Sequence, residues 1–525
     1  MISKPNVNIS LASANNVLNI GDRRNLIICQ TPGATAHTLV QDIPDLTKTQ
    51  LDSLLGAGSY ARIMVQQWLD ANRTGNDYGA KLDMITLLDG AAATAATKVI
   101  TLGATEAATA AVASDIEISI LSSELYNKTI SVAVGDTSSE VAAAIVAAYA
   151  STTAPFTLAA GTTPNEHVIT VTATDLGTIG NDYGIEITGV PSAIDAVITS
   201  GVTGAGPPIN LDTITDLLGE TVRYQGILWP SDLSGDVDEV TDFLDARFNV
   251  SNDILDGVAF MGDSNTLTLE KALANLHNSP SLVIAGNAIT VGSSTKIGPE
   301  VVHPVDWTTA TFMGIRARRL TDNASIASVV TANASNDQFG GQALASLPYF
   351  NTPIASVPVT GSVNLFDSSE QVELNAAGYT VIGPNKPITE TITGAMVTTY
   401  KTDPAGNPDI SFSYLNYVDT SSVCREFFFV NFKSIFAQSR LTDGNLIAGR
   451  SMENEASLKA VFKRLLQVLK DNTLIRDGSV ADALVEDSLT VVIDLANRKA
   501  TINSVLPIVT QLETINSTLQ LTFEL

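Results

Sequence analysis

Gln225-Gly226-Ile227-Leu228-Trp229, Asp256-Gly257-Val258-Ala259-Phe260-Met261 and Ser281-Leu282-Val283-Ile284-Ala285 are three short apolar runs, separated by Val237–Phe248 and Leu267–Leu276. The runs read as strands and the segments between them as helices. Strand–helix alternation at this spacing predicts an α/β layer built on a parallel sheet.

Upstream, the linker Gly201–Pro208 joins this layer to a stretch of different character. Residues 91–200 hold 11 acidic residues against Lys98 and Lys128 alone, a net charge of −9, and are rich in Ala, Thr, Val and Gly. Asp115–Ile120, Lys128–Val134 and His167–Thr172 are predicted strands with turn residues between them, and Glu140–Ala150 is a predicted alanine-rich helix. A short repeat brackets the stretch. Gly75-Asn76-Asp77-Tyr78-Gly79 precedes the apolar run Leu82–Leu88, and Gly180-Asn181-Asp182-Tyr183-Gly184 precedes Ile185–Val190. Gly and Asn tolerate positive φ, so each copy is expected to be a turn feeding a strand. Its place at both margins suggests a small, self-contained acidic domain inserted into a parent domain.

Downstream, residues 340–420 are rich in Pro, Thr and Asn and read as short strands and loops. Residues 421–525 carry 11 bases against 12 acids, near neutrality in a chain whose net charge is −26. Within them Ser451–Asp471 is the clearest helix: Ser451 is a good N-cap, with Glu453 and Glu455 in the first turns. Leu458, Val461, Phe462, Leu465, Leu466 and Leu469 recur at helical spacing. Lys459, Lys463 and Lys470 form a narrow stripe on the polar side, with Arg464 on its border. The stripe is either the solvated face of an ordinary amphipathic helix or a basic strip that docks on an acidic partner.

Both ends of the chain alternate. Val7, Ile9 and Leu11 are interleaved with Asn8 and Ser10; Leu519, Leu521, Phe523 and Leu525 are interleaved with Gln520, Thr522 and Glu524. Alternation puts the apolar side chains on one face of a strand, and a strand at a free end seeks a sheet edge. That edge belongs either to the same molecule or to a neighbour, which would make the chain a polymer subunit.

The 525 residues suffice for several domains, and a 45% hydrophobic, 16% charged composition with mean hydropathy +0.19 fills cores rather than staying disordered. The acidic balance argues against nucleic-acid binding, which needs a basic surface. It also keeps copies soluble until specific contacts form. Cys29 and Cys424 make no disulfide framework, so a reducing compartment is expected. The first twenty residues are too polar for a signal peptide, and no long apolar run predicts a membrane span. Synthesis in the cytoplasm is expected.

Few residues suggest chemistry. Gly56-Ala57-Gly58-Ser59-Tyr60-Ala61 matches a dinucleotide-binding fingerprint, but Thr47–Leu55 before it reads as a helix or turn where the fingerprint needs a strand. A glycine turn allowing tight packing is the alternative. His37, His167, His277 and His303 show no metal-ligand spacing, and Cys29 with His303 and Asp306 forms no recognisable nucleophile motif. Arg316, Arg318 and Arg319 are the densest basic cluster. Arg316 and Arg318 would share a face if this were a strand, paired either with local acids or across a subunit boundary. No catalytic, cofactor-binding or metal residues are assigned; a nucleotide-binding α/β enzyme is a distant alternative.

Ala377-Gly378-Tyr379-Thr380-Val381-Ile382, followed by Ile392-Thr393-Gly394-Ala395-Met396-Val397-Thr398-Thr399-Tyr400 and Asp403-Pro404-Ala405-Gly406, resembles the core of contractile phage tail sheath proteins. In that family a strand ending in a Thr-Thr-Tyr-like triplet precedes a Gly-containing turn and an aromatic, basic segment, here Tyr414–Arg440. Leu54-Leu55-Gly56-Ala57-Gly58-Ser59 with Met64–Asn72 is similar to the family's N-terminal Gly-x-Gly-Ser turn and helix. The acidic stretch ending in Gly177–Tyr183 resembles the β-rich insertion of Mu-like sheaths.

The resemblance implies an α+β / α/β multidomain fold. Its parts are an N-terminal arm (1–20), an α/β sheath core (21–90 with 201–375), an acidic β-rich outer insert (91–200), a tube-proximal C-terminal domain (376–510) and a C-terminal arm (511–525). It implies a structural, non-enzymatic subunit without cofactors. Such subunits stack as homo-hexameric rings around a tail tube and contract to drive the tube through the host envelope. Val7, Ile9, Leu11, Leu519, Leu521, Phe523 and Leu525 would be the inter-subunit strand arms, and Lys459, Lys463, Arg464 and Lys470 the tube-facing basic helix. Implied partners are other copies of the chain, the tube protein, and baseplate and terminator proteins, with no nucleic acid and no membrane insertion. The implied location is the virion tail, or a phage-derived contractile injection system.

Overall fold

The computed structural model describes residues 23–510 except 32–36, 75, 76, 79, 90–92, 122–123, 207–217, 219–221, 232, 234–236, 249–255, 287–289, 293–295, 300–303, 322–348, 350–365, 386–388, 393–394, 437 and 448–449. Both segments expected as arms, and His303, lie outside the described residues. There are two compact units, one of Asp22–Arg318 with Pro348–Val418, the other built mainly on Asp419–Leu525.

The first unit opens with β1 (Arg24–Gln30), β2 (Thr38–Val40), α1 (Lys48–Leu55), α2 (Tyr60–Asn72), β3 (Arg73–Thr74), β4 (Asp77–Tyr78) and β5 (Lys81–Leu87). The acidic stretch supplies β6 (Ala95–Leu102), β7 (Ser114–Ile120), β8 (Asn127–Val132), α3 (Ser138–Tyr149), β9 (Phe156–Ala160), β10 (Val168–Leu176), β11 (Ile185–Thr188) and β12 (Ala196–Ser200). Then come β13 (Gly226–Trp229), α4 (Val237–Phe248), β14 (Val258–Gly262), α5 (Leu267–Leu276), β15 (Leu282–Gly286), β16 (Thr290–Gly292) and β17 (Lys296–Pro299). The unit continues with most of α6 (Val305–Thr321), then α7 (Ser368–Ala377), β18 (Tyr379–Asn385) and β19 (Thr389–Ile392).

Its main sheet runs β19-β18-β15-β14-β13-β1-β5-β2, parallel except for the outermost pairs β18·β19 and β2·β5. The expected parallel layer is thus present, with Gly226 opposite Val258 and Ala259 opposite Leu282. These strands are buried throughout, which is why their sequences are continuous apolar runs rather than alternating ones.

The acidic stretch forms one sheet ordered β12-β6-β10-β9 and contributes to a second, β16-β17-β11-β7-β8. The second passes the boundary expected at residue 200, because β11 pairs with β17, Ile185 opposite Ile297. Nor is the stretch sealed off: Ile116, Ile118, Ile145, Ile169 and Ile187 belong to the same buried cluster as Met64, Trp68 and Phe312. Its helix starts at a capping box, Thr137 accepting from Glu140 N–H and Glu140 accepting from Thr137 N–H. The two pentapeptide copies both lead into strands by different backbones. Asp77–Tyr78 lies in the β3–β4 hairpin, whereas Ile179–Asp182 forms a 3-10 turn.

Several expectations are corrected. Arg316, Arg318 and Arg319 lie in a helix, α6, not a strand, so Arg316 and Arg318 share no face. Arg316 is buried, donates to the Gln225 carbonyl at 2.6 Å and lies over the Phe260 ring, which places it inside the unit rather than at a subunit boundary. The region expected as strands and loops contains α7, started by the Asp367/Glu370 capping box and stopped by Gly378 at φ 92°. Met396–Tyr400 is not a regular strand. Val397 makes one bridge to Tyr414; Thr398 N–H donates to the Ser413 carbonyl and Thr399 N–H to Leu282. The two threonine hydroxyls, wholly buried, donate to the Phe412 and Ser279 carbonyls, so this motif ties a loop to the sheet.

Candidate interaction surfaces

The second unit holds most of α8 (Leu415–Phe436), then β20 (Arg440–Leu441), β21 (Met452–Glu453), α9 (Glu455–Asp471), α10 (Ser479–Ser488), β22 (Thr490–Asp494) and β23 (Lys499–Asn503). The N-cap of α9 is Asn454, not Ser451, because Met452 and Glu453 pair with Arg440 and Leu441 as a short parallel bridge. Asn454 and Ser457 close a capping box at 2.9 and 3.0 Å. Leu458, Phe462, Leu465, Leu466 and Leu469 are buried, as their spacing predicts. The last four meet Val423, Cys424, Phe427, Leu474, Ile475, Val485 and Leu489 in one cluster. Phe428 stacks on Phe462 with centroids 4.9 Å apart and rings 10° from parallel. Phe428, Phe432 and Phe436 continue outward as a ladder at 5.5 and 5.8 Å.

That ladder ends in a groove of about 570 Å³. Phe432, Phe436, Leu441, Leu458, Leu495 and Ile502 line it, with Arg440, Glu453 and Arg498 as its polar members. One wall is the hairpin β22–β23, paired from Thr490 opposite Asn503 to Asp494 opposite Lys499. Among the described residues this sheet has two strands, so no described strand pairs with either outer edge. Val492 and Leu495 are exposed beside it. An isolated two-stranded ribbon is marginal in water and gains from an added strand. The hairpin was not anticipated, although the β-branched run Thr490–Ile493 and the Asn497-Arg498 turn are readable signals.

The basic stripe is in place on α9, but it is not vacant. Lys459 pairs with Glu455 one turn earlier at 2.9 Å. Lys463 pairs with Glu486 at 2.5 Å; Lys470 pairs with Asp482, and with Asp477 at 3.4 Å. The hydrogen bond to Asp482 raises the Lys470 pKa. Among the described residues no carboxylate pairs with exposed Arg464.

The dinucleotide-like turn is a packing feature. It follows a helix, α1, and Gly58, at φ 68°, lies so close to Thr153 that a Cβ would stand 2.5 Å from the Thr153 carbonyl oxygen. The following Ser59 caps α2 by accepting from Arg62 N–H at 3.1 Å. In the main sheet, the chain switches sides between β5 and β13 around β1, and ligands in open α/β sheets sit at the carboxyl ends of such strands. Here the acidic stretch fills that place. Gln30 donates to the Leu176 carbonyl at 2.8 Å, and Tyr183 stacks on Tyr60 at 6.1 Å. Tyr60 in turn donates to Asp306, which also accepts from the Ser231 hydroxyl at 2.9 Å. Asp306 is thus committed to structural contacts, and Cys29 is buried in the apolar cluster. His277 bonds Asp238 at 2.7 Å. Among the described residues no group of His, Cys, Asp and Glu is placed to hold a metal ion, and no helix is long and apolar enough to cross a membrane.

No family model matches the chain, and no curated protein matches it. Among solved structures it is similar to a sheath tail protein from Desulfitobacterium hafniense, with 12% identity over 96% of each chain and a TM-score of 0.45. It is also similar to the sheath of an extracellular contractile injection system in its contracted state, with 10% identity over 99% of this chain and 98% of that one and a TM-score of 0.39.

Proposed function

We propose that the chain is a structural subunit of a contractile sheath, polymerising through its terminal segments around a tube. The observation that carries this reading is the pairing of supply and demand for strands. The C-terminal unit presents a two-stranded ribbon beside an apolar groove. The chain also carries two terminal segments whose apolar residues, Val7, Ile9, Leu11 and Leu519, Leu521, Phe523, Leu525, alternate as added strands require. The ordered motifs from Leu54 to Arg440 support the same reading. Head-to-tail strand exchange that does not close on itself generates a helical polymer. In this reading the subunits form rings of six around an acidic tube contacted by Lys459, Lys463, Arg464 and Lys470, and contraction releases energy held in subunit contacts rather than from a hydrolysed substrate.

Negative-stain electron microscopy of the purified chain, with and without residues 512–525, tests the proposal. Hollow striated tubes from the intact chain, lost on truncation, are expected. Compact monomers from both would overturn it.

A further inference from the structure

The lysines of α9 answer to carboxylates of their own chain. Helix α10 runs antiparallel beside α9, so Glu486 meets Lys463 while Asp482, one turn earlier, meets Lys470 two turns further along α9. Asp477, in the connection before α10, adds a second carboxylate to Lys470. These acids do not hold α10 in place. Ala481 and Val485 are its buried residues, and Val485 and Leu489 belong to the apolar cluster. The Asp482 and Glu486 side chains are instead 50% and 65% exposed. An acidic helix edge fixed by apolar packing and turned toward a lysine stripe has the form of a built-in counter-surface.

We propose that α10 is an internal competitor for the basic stripe. Its carboxylates occupy Lys463 and Lys470 in the free chain and give them up only to an acidic partner surface that offers several carboxylates at once. This deepens, and rests on, the reading of the stripe as a docking surface for an acidic tube. The physical need is set by the chain itself. At a net charge of −26, with −9 on residues 91–200 alone, the acidic surface most often met by an open stripe is another copy of the same chain. Exposed ion pairs are individually weak and exchange readily. Self-pairing therefore suppresses chance contacts at little cost to a multivalent, correctly spaced partner, which wins through effective concentration. Exposed Arg464, which no described carboxylate engages, is then the group that makes first contact.

The test measures binding of poly-L-glutamate to the full chain at low and high salt, for wild type, Asp482→Asn/Glu486→Gln and Lys463→Glu/Lys470→Glu. Opening the stripe in the first variant is expected to tighten low-salt binding by about threefold to tenfold, with the gain vanishing at high salt. Unchanged affinity in that variant, with binding abolished in the lysine variant, would overturn the competitor while leaving the stripe as a docking surface. Binding that survives in the lysine variant would remove the docking surface and the competitor with it. The melting temperatures of wild type and Asp482→Asn/Glu486→Gln are expected to agree closely because those carboxylates are exposed, while a cooperative melt of Lys463→Glu/Lys470→Glu verifies that it still folds. A collapse of the Asp482→Asn/Glu486→Gln melt would itself count against the proposal, by showing that the acids hold α10 in place.

Discussion

The Asp263 charge acts on the Glu270 carboxyl group where β14 gives way to α5. Glu270 is wholly buried, and its Oε1 accepts from Asn265 N–H at 2.5 Å. The Tyr379 hydroxyl closes the site by donating to the Asp263 carbonyl oxygen at 2.9 Å. Burial first, and the Asp263 charge second, push the Glu270 pKa up to about 9.

At neutral pH the folded chain therefore retains a proton on Glu270 that the unfolded chain releases near its ordinary value of 4.5. Stability contributed by this proton is intact below that value and falls as pH rises toward about 9, with a slope of about 1.4 kcal/mol per pH unit for one retained proton. Glu270→Gln supplies the neutral form permanently. Its melting temperature is expected to decline less than that of wild type across this window, and to exceed it at the alkaline end. Parallel declines in the two chains would rule out the retained proton.

The turn at Gly56-Ala57-Gly58 gives a second prediction, which separates packing from ligand binding. Gly58→Ala combines strain at φ 68° with collision against Thr153, and is expected to cost about 2–4 kcal/mol in denaturant unfolding. Gly135→Ala, at φ 95° with open space around its Cβ, carries the strain alone and is expected to cost only about 1–2 kcal/mol. Added nucleotide is expected to shift neither wild-type curve nor variant curve; a nucleotide-dependent gain in wild type lost in Gly58→Ala would restore the binding reading.

What the sequence made legible, and what it hid, follows from where each side chain's partners lie. Strands β13–β15 and helices α4 and α5 were readable because burial on both sheet faces leaves unbroken apolar runs and the helices between them keep one apolar face. Helix α6 was hidden because it is buried nearly all round. Trp307, Ala310, Phe312, Met313 and Ala317 share it with buried Thr308, Thr309 and Thr311, whose hydroxyls donate to carbonyls four residues back, leaving no polar face to set a period. Helix α7 offered a readable signal, Asp367-Ser368-Ser369-Glu370, obscured by its setting among Pro and Thr. On α9 the lysine spacing was legible, yet Glu486 and Asp482 were not visible as partners, because their approach depends on how α10 packs.

The Phe428–Phe462 stack and the Phe436 end of the same ladder are expected to behave differently. Phe462→Ala leaves a cavity in the core of the second unit and is expected to destabilise by about 3–5 kcal/mol in chemical denaturation. Phe436 lines the groove and is only half-buried, so Phe436→Ala is expected to cost much less, about 1 kcal/mol, while reducing tube formation under the microscope. Equal destabilisation by both would make the groove a mere extension of the core.

Removing residues 91–200 tests how far the acidic stretch is an appendage. Its isoleucines share one buried cluster with Met64, Trp68 and Phe312, Tyr183 covers Tyr60, and Gly58 packs against Thr153. Its loss would also strip β17 of its partner β11. Each change exposes apolar surface or an unpaired sheet edge in what remains. The deletion is therefore expected to yield aggregated or unfolded protein in size-exclusion chromatography, even though the stretch carries a net charge of −9 that favours solubility. The single substitution Tyr183→Ala, which keeps the stretch but opens the contact with Tyr60, is expected to stay folded and lose about 3–5 kcal/mol. A soluble, cooperatively melting deletion chain would show that the α/β core is complete without it, and that the shared cluster is two cores in contact rather than one.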